Sequence, residues 1–295
     1  MQDVVNILSL GAIYLLFAIG MSLVWGSIGI LNLAHGSVFA FSAFIGYLVL
    51  EHAQLPIAAM VPICVASGAA LSLLIEIFAF EPILARSRDV ATTEFQILIG
   101  GLGVASALLA TVQKITTSAP YGFAGSTFSI HTYVWGSVRI SNIQIIMIVA
   151  GVAVTGSAAV WLQRSRNGLA LRAIGVDPET ASLMGIRRTA LARATMAVAG
   201  GCAGLAGVLL TYDLGVLDSD SGDTLLIKAF AAIILGGVGS IAGVVVGALV
   251  LAAAETLVLT YTSGTWVDAI SFGLIMVVLL LRPNGLFGRA EVRRT

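Results

Sequence analysis

Charge is what this 295-residue chain has least of. Asp, Glu, Lys and Arg together make up 10% of it, where a soluble domain carries about 25%. Residues 4–50 contain none of the four, and one membrane span needs about 20 apolar residues, so this gap holds about two. Acidic and basic residues balance at 15 each, so no excess charge draws nucleic acid or an acidic substrate. Cysteine is also scarce. Cys64 and Cys202 both lie in apolar runs, which reads as two packed thiols, neither a disulfide framework nor a metal pattern. Lysine occurs twice, as Lys114 after Gln113 and Lys228 after Ile227. Neither follows glycine as a phosphate-binding P-loop requires, so the chain is not its own P-loop ATPase. No nucleophile–base pair or metal-ligand cluster stands out, and an enzyme is not expected.

What the chain has is apolar surface. Hydrophobic residues make up 58% and the mean hydropathy is +1.02, the composition of a polytopic membrane protein. Met1-Gln2-Asp3 offers no basic n-region, so the first run is expected to stay as a membrane helix. Apolar segments recur at 4–25, 30–50, 55–78, 95–112, 140–162, 194–212, 225–235, 241–261 and 266–281. This predicts an all-α protein with about nine transmembrane segments, eight to ten. Segment 225–235 is short for a full span and runs into Gly236-Gly237. A broken or re-entrant helix is expected there, which is tolerated where protein or a wet cavity surrounds it.

Twelve of the fifteen basic residues fall in three connections: Arg86 and Arg88; Arg164, Arg166, Arg172, Arg187, Arg188 and Arg193; Arg282, Arg289, Arg293 and Arg294. The positive-inside rule places these in the cytoplasm, with the N-terminus outside and the C-terminus inside. The opposite side receives residues 118–137 and 213–223, neither large enough to be a separate capture domain.

Gly36-Ser37 and Gly239-Ser240 each precede a helix of small residues, at an offset of 203. That suggests a weak internal two-fold repeat with glycine-interrupted segments, a pointer to a transport pathway; chance pairing among 33 glycines is the alternative. Gly239, Gly243 and Gly247 form a stripe of small residues at spacing four, suited to close helix packing, within the chain or at a subunit interface. In the arginine-rich loop 164–193, Asp177 can cap a helix whose first position is Pro178. Glu179 suits its positive end, and Gly185 can close it in a left-handed conformation. The enclosed helix, 178–184, is too short to stand alone in water and would offer Ala181 and Met184 as an apolar face. It is either a mechanical coupling element or a plain capped connector. Ionisable groups within the apolar runs are His35, Glu76, Lys228 and Glu255, each costly to bury. Glu76 and Lys228 are expected near helix ends, reaching water, and His35 at a helix break, bonding freed backbone. Four scattered groups make a poor proton relay.

These residues carry a resemblance. Gly29-Ile30-Leu31-Asn32-Leu33-Ala34-His35-Gly36-Ser37 resembles the N-terminal signature of LivH-type permeases of branched-chain amino-acid ABC importers. Asn167-Gly168-Leu169-Ala170-Leu171-Arg172-Ala173, with Asp177 and Ala181-Ser182-Leu183-Met184-Gly185-Ile186, looks like that family's coupling region. Lys228-Ala229-Phe230, Leu235-Gly236-Gly237-Val238-Gly239-Ser240 and Gly243 look like its glycine motif, and Arg282-Pro283-Asn284-Gly285-Leu286-Phe287-Gly288 like its ending. Ser37 departs from the glutamate many members carry there, which bears on the substrate. The resemblance implies one transmembrane domain over 1–295 and residues 164–193 as the coupling loop, in a bacterial inner membrane. It implies a LivM-type second permease, two cytoplasmic ATPases that bind ATP and Mg, and a periplasmic substrate-binding protein. It implies no cofactor on this chain. The pathway residues would be Asn32, His35, Gly36, Ser37, Gly236, Gly237, Gly239 and Ser240. Those for ATPase coupling would be Asp177, Pro178, Glu179, Ala181, Met184 and Gly185. A stand-alone channel or facilitator for urea or short amides is the alternative, and a polytopic scaffold a third reading.

Overall fold

A computed structural model of the protein describes residues 1–29, 31–86, 90–123, 126, 128–262, 264–282 and 285–287. Arg88, Pro283, Asn284, Gly288, Arg289, Arg293 and Arg294 lie outside the described residues. Helices form at all nine apolar segments: α1 (Gln2–Ile28), α2 (His35–His52), α3 (Ile57–Ile75), α5 (Val90–Thr116), α6 (Asn142–Arg164), α9 (Arg188–Leu214), α10 (Ser221–Gly236), α11 (Ile241–Tyr261) and α12 (Val267–Leu281). A π-helical turn, Glu76–Phe80, carries α3 into α4 (Glu81–Arg86), and α7 (Arg166–Val176) and α8 (Pro178–Leu183) fill the arginine-rich connection. Six helices among the described residues are long and apolar enough to cross a membrane. Length and composition therefore do not confirm the count of about nine spans: α10, expected to be short, has 16 residues and α12 has 15. Sixteen residues of helix reach only about 24 Å, short of a hydrocarbon core of about 30 Å.

The core forms where small residues let backbones touch. In α3 and α9, Gly68 and Gly200 face each other so closely that a Cβ on either would fall on the other's carbonyl. Large side chains fill the remainder, among them Phe17, Phe39, Phe44 and Phe80, all fully buried. In contrast, α5 and α6 leave most of their apolar surface uncovered, with Phe95, Ile99, Leu102, Val149 and Val152 exposed. At the end away from the arginine loop, a hairpin pairs β2 (Thr132–Trp135) with β3 (Val138–Ser141). There β1 (Tyr121–Gly122) also pairs with β4 (Val216–Leu217). The Tyr121 hydroxyl donates to the Ala40 carbonyl at 2.8 Å, and burial, with Asp218 nearby, pushes this phenol above its ordinary range.

The proposed repeat does not align at its offset. Gly36 is helical, the second residue of α2, whereas Gly239 precedes α11 with φ +79°. Ser240 caps α11 by accepting from the Gly243 amide, a role Ser37 does not share.

Candidate functional site

The first helix break is a re-entrant segment. Gly29 ends α1 with φ 76°, and the chain turns back before α2 starts. The Asn32 side chain accepts from the Ala34 amide at 3.0 Å while its carbonyl takes the His35 amide at 3.3 Å, so Asn32 organises the start of α2. The His35 ring bonds the Phe17 carbonyl and meets the Phe17 ring edge-on at 4.5 Å. Phe17 lies eleven residues before the end of α1, so α2 begins about 16 Å back along it. Non-helical backbone thus sits at depth, enclosed by protein, as such backbone must be. His35 is 1% exposed and its Nε2 has no partner among the described residues. Ser37 is buried, donating to the Ala105 carbonyl at 3.3 Å.

A second break answers it. Helix α10 ends at Gly236-Gly237, where Gly237 has φ +101°. The freed carbonyls of Leu235 and Gly236 accept from the amides of Leu286 at 2.8 Å and Phe287 at 2.9 Å. The end of the chain therefore closes α10, a long-range pairing that local pattern does not foretell. Helix α10 also spans the gap left by the first break: Gly222 meets Gly36 near its start, and Gly239 meets Gly26 beyond its end. Gly243 and Gly247, expected to pack helices, lie against Gly236 and Ala232 of α10 within this chain.

Lys228 and Glu255, placed apart by the sequence reading, meet. Lys228 Nζ lies 2.9 Å from Glu255 Oε2, with side-chain exposures of 17% and 2%. Lys228 therefore does not reach out to water from a helix end as expected. Tyr14 of α1 donates to the same carboxylate at 2.5 Å and Ser271 of α12 at 2.8 Å, and Lys228 Nζ also donates to the Tyr14 hydroxyl at 3.2 Å. Four helices thus converge on one ion pair. Two opposite charges in otherwise charge-free spans were the signal that they would pair. Glu76 corrects the same expectation: it is 1% exposed, inside the π-helical turn, with Oε2 unpartnered among the described residues.

At the arginine-rich end, Ser165 caps α7 by accepting from the Gly168 amide at 2.9 Å. Asp177 caps α8 by accepting from the amides of Glu179 and Thr180, both at 3.1 Å, with Pro178 in the first turn. The helix ends one residue earlier than expected, and Gly185, at φ +84°, lets the Ile186 amide reach the Ala181 carbonyl. That six-to-one bond is a left-handed helix stop. Ala181 does not face outward with Met184. It is 4% exposed, packed with Leu171, Ile174 and Leu191 in a small core of its own. Positions 181 and 184 share a helical face only while the helix lasts, and Met184 already lies past its last turn. What projects is Val176, Leu183 and Met184, each at least 80% exposed. Arg193 is held by Glu81 through three contacts of 2.7–3.1 Å, tying the start of α9 to α4.

Interrupted apolar helices and a capped, projecting helix at the arginine-rich end define a multi-pass membrane protein of transporter type. The chain belongs to the family of permease components of branched-chain amino acid transport systems, whose model matches residues 4–280. It is 31% identical over 310 residues to the high-affinity branched-chain amino acid transport system permease protein BraD of Pseudomonas aeruginosa, covering 100% of this chain and 97% of that protein. It is 31% identical over 307 residues to the LivH permease protein of Escherichia coli K12, with the same coverage. A probable LivH permease of Methanocaldococcus jannaschii is 27% identical over 286 residues, or 92% of this chain and 88% of that protein.

Proposed function

We infer that this chain is a LivH-type permease subunit of an ATP-driven importer that carries branched-chain amino acids or related small metabolites. Full-length similarity to permeases of that description carries the reading. The chain acts without an ATPase site of its own. Two cytoplasmic ATPases bind ATP and Mg, a LivM-type permease completes the pathway, and a periplasmic protein delivers substrate. The whole chain serves as one transmembrane domain in the bacterial inner membrane. Its N-terminus lies outside and its C-terminus in the cytoplasm, a reading supported by the exposed Arg164, Arg166, Arg172, Arg187 and Arg188 at one end.

The 164–193 loop is the coupling element. Asp177, Pro178 and Gly185 shape α8, Ala181 fastens it to α7, and Val176, Glu179, Leu183 and Met184 present the contact to an ATPase. ATP-driven movement there shifts α9, and with it the interrupted helices. Asn32, His35, Gly36, Ser37, Gly236, Gly237, Gly239 and Ser240 set the geometry of the pathway through the two breaks. The full-length family match weighs against a stand-alone channel, which needs no coupling element. Purification with the ATPase subunits, followed by uptake in vesicles, tests the reading. ATP-dependent accumulation of leucine, isoleucine or valine is expected; passive equilibration of solute by the chain alone would overturn it.

A further inference from the structure

The pair Lys228–Glu255 is the one buried ion pair among the described residues, and two cavities border its Lys228. One, of about 110 Å³, is lined by Ile227, Ala231, Ser271, Phe272 and Ile275, between α10 and α12. The other, of about 270 Å³, lies between α1, α9 and α10 and is lined by Leu10, Ile13, Tyr14, Leu210 and Leu225 among others. Thr224 and Lys228, one turn apart on α10, border both. The walls are otherwise almost wholly aliphatic or aromatic.

Donor counting shows spare capacity. An ammonium has three N–H donors. Lys228 uses one on Glu255 and one on Tyr14, and the third has no partner among the described residues. A carboxylate has about four acceptor sites, and Glu255 receives three donors, from Tyr14, Lys228 and Ser271. The pair as a whole is neutral, so a solute with net charge would leave an uncompensated charge at depth, which is costly. A zwitterion would not.

We propose that Lys228, with Thr224 and Ser271, forms a binding station for the zwitterion of an aliphatic amino acid on its way through this subunit. The spare Lys228 N–H takes the solute carboxylate, the hydroxyls of Thr224 and Ser271 accept from its ammonium, and Ile227, Phe272 and Ile275 receive its side chain. Glu255 and Tyr14 are positioning residues that hold the Lys228 ammonium at the cavity wall. This rests on the importer reading above.

The experiment uses the assembled importer with its ATPases in nanodiscs and vesicles. Leucine uptake by the unmodified complex is the control for the importer reading; its absence would overturn that reading and this inference with it. The double variant Lys228→Met/Glu255→Gln leaves no unpaired charge. If the pair only clamps helices, this variant recovers transport. If Lys228 holds substrate, it assembles normally but takes up leucine about tenfold more slowly or worse, the loss of a charge-assisted contact. Wild-type uptake by the double variant overturns the proposal. A second measurement does not depend on that variant folding. With Cys64 and Cys202 replaced by alanine, Ile275→Cys is labelled by a small thiol reagent. Leucine should slow this labelling about threefold or more, and leucinamide, which lacks the carboxylate, should not. Equal protection by both, or by neither, also overturns the proposal.

Discussion

Gly26 and Gly239 meet backbone to backbone. A Cβ built on Gly26 would stand 2.5 Å from the Gly239 Cα, and Gly239 itself holds φ +79°. The last turns of α1 therefore rest against the turn between α10 and α11, where the second break lies.

Substitution at this contact is expected to stop transport without stopping membrane insertion. Gly239→Leu must adopt the left-handed backbone, a strain of about 1–3 kcal/mol, although its Cβ would stand an ordinary 3.7 Å from Gly26. The measurement is uptake normalised to the amount of permease in the membrane. Normal uptake in Gly239→Leu would remove this turn from the moving parts.

Breaking the buried ion pair on one side should destabilise more than removing it whole. Lys228→Met leaves Glu255, 2% exposed, without its cation, at a cost of about 3–5 kcal/mol. Thermal unfolding in nanodiscs should show Lys228→Met melting well below Lys228→Met/Glu255→Gln. Equal melting temperatures would mean that Glu255 does not depend on Lys228.

The coupling test follows the corrected geometry of α8. Ala181→Arg forces a charge into the small core of Leu171, Ile174 and Leu191, so it should unfold the loop and inform little about docking. Met184→Asp and Leu183→Asp change side chains at least 80% exposed and should leave the permease fold intact. Both are expected to weaken association with the ATPase and to lower substrate-stimulated ATP hydrolysis about tenfold, the desolvation of one carboxylate in an apolar contact. Arg188→Ala is the control with the smaller effect. Full ATPase association in both aspartate variants, alongside its loss in Arg188→Ala, would place the contact elsewhere.

Orientation is checked by single cysteines at two exposed sites, Trp135→Cys in the hairpin and Leu183→Cys in α8, with Cys64 and Cys202 removed. An impermeant thiol reagent added to intact cells should label position 135 and spare position 183. The reverse pattern would invert the topology.

Much of this protein is legible along the chain because its causes are local. Apolar length and the bunching of arginines mark the helices and suggest the orientation, since backbone in lipid must satisfy itself within each segment. Asp177, Pro178 and Gly185 announce α8 because caps and stops act over four or five residues. Gly236-Gly237 announces the break after α10. What the sequence alone could not decide depends on which segments become neighbours. Lys228 and Glu255 lie 27 residues apart, and only the packing of α1, α10, α11 and α12 makes them one site. The carbonyls freed at Leu235 and Gly236 find their donors in Leu286 and Phe287, about fifty residues on. Ala181 turns inward because α7 lies beneath it, although its spacing from Met184 suggests a shared face. Each of these is a pairing of a buried polar group or a small apolar face with a distant partner. No window along the chain contains both halves, so only the tertiary structure chooses the match.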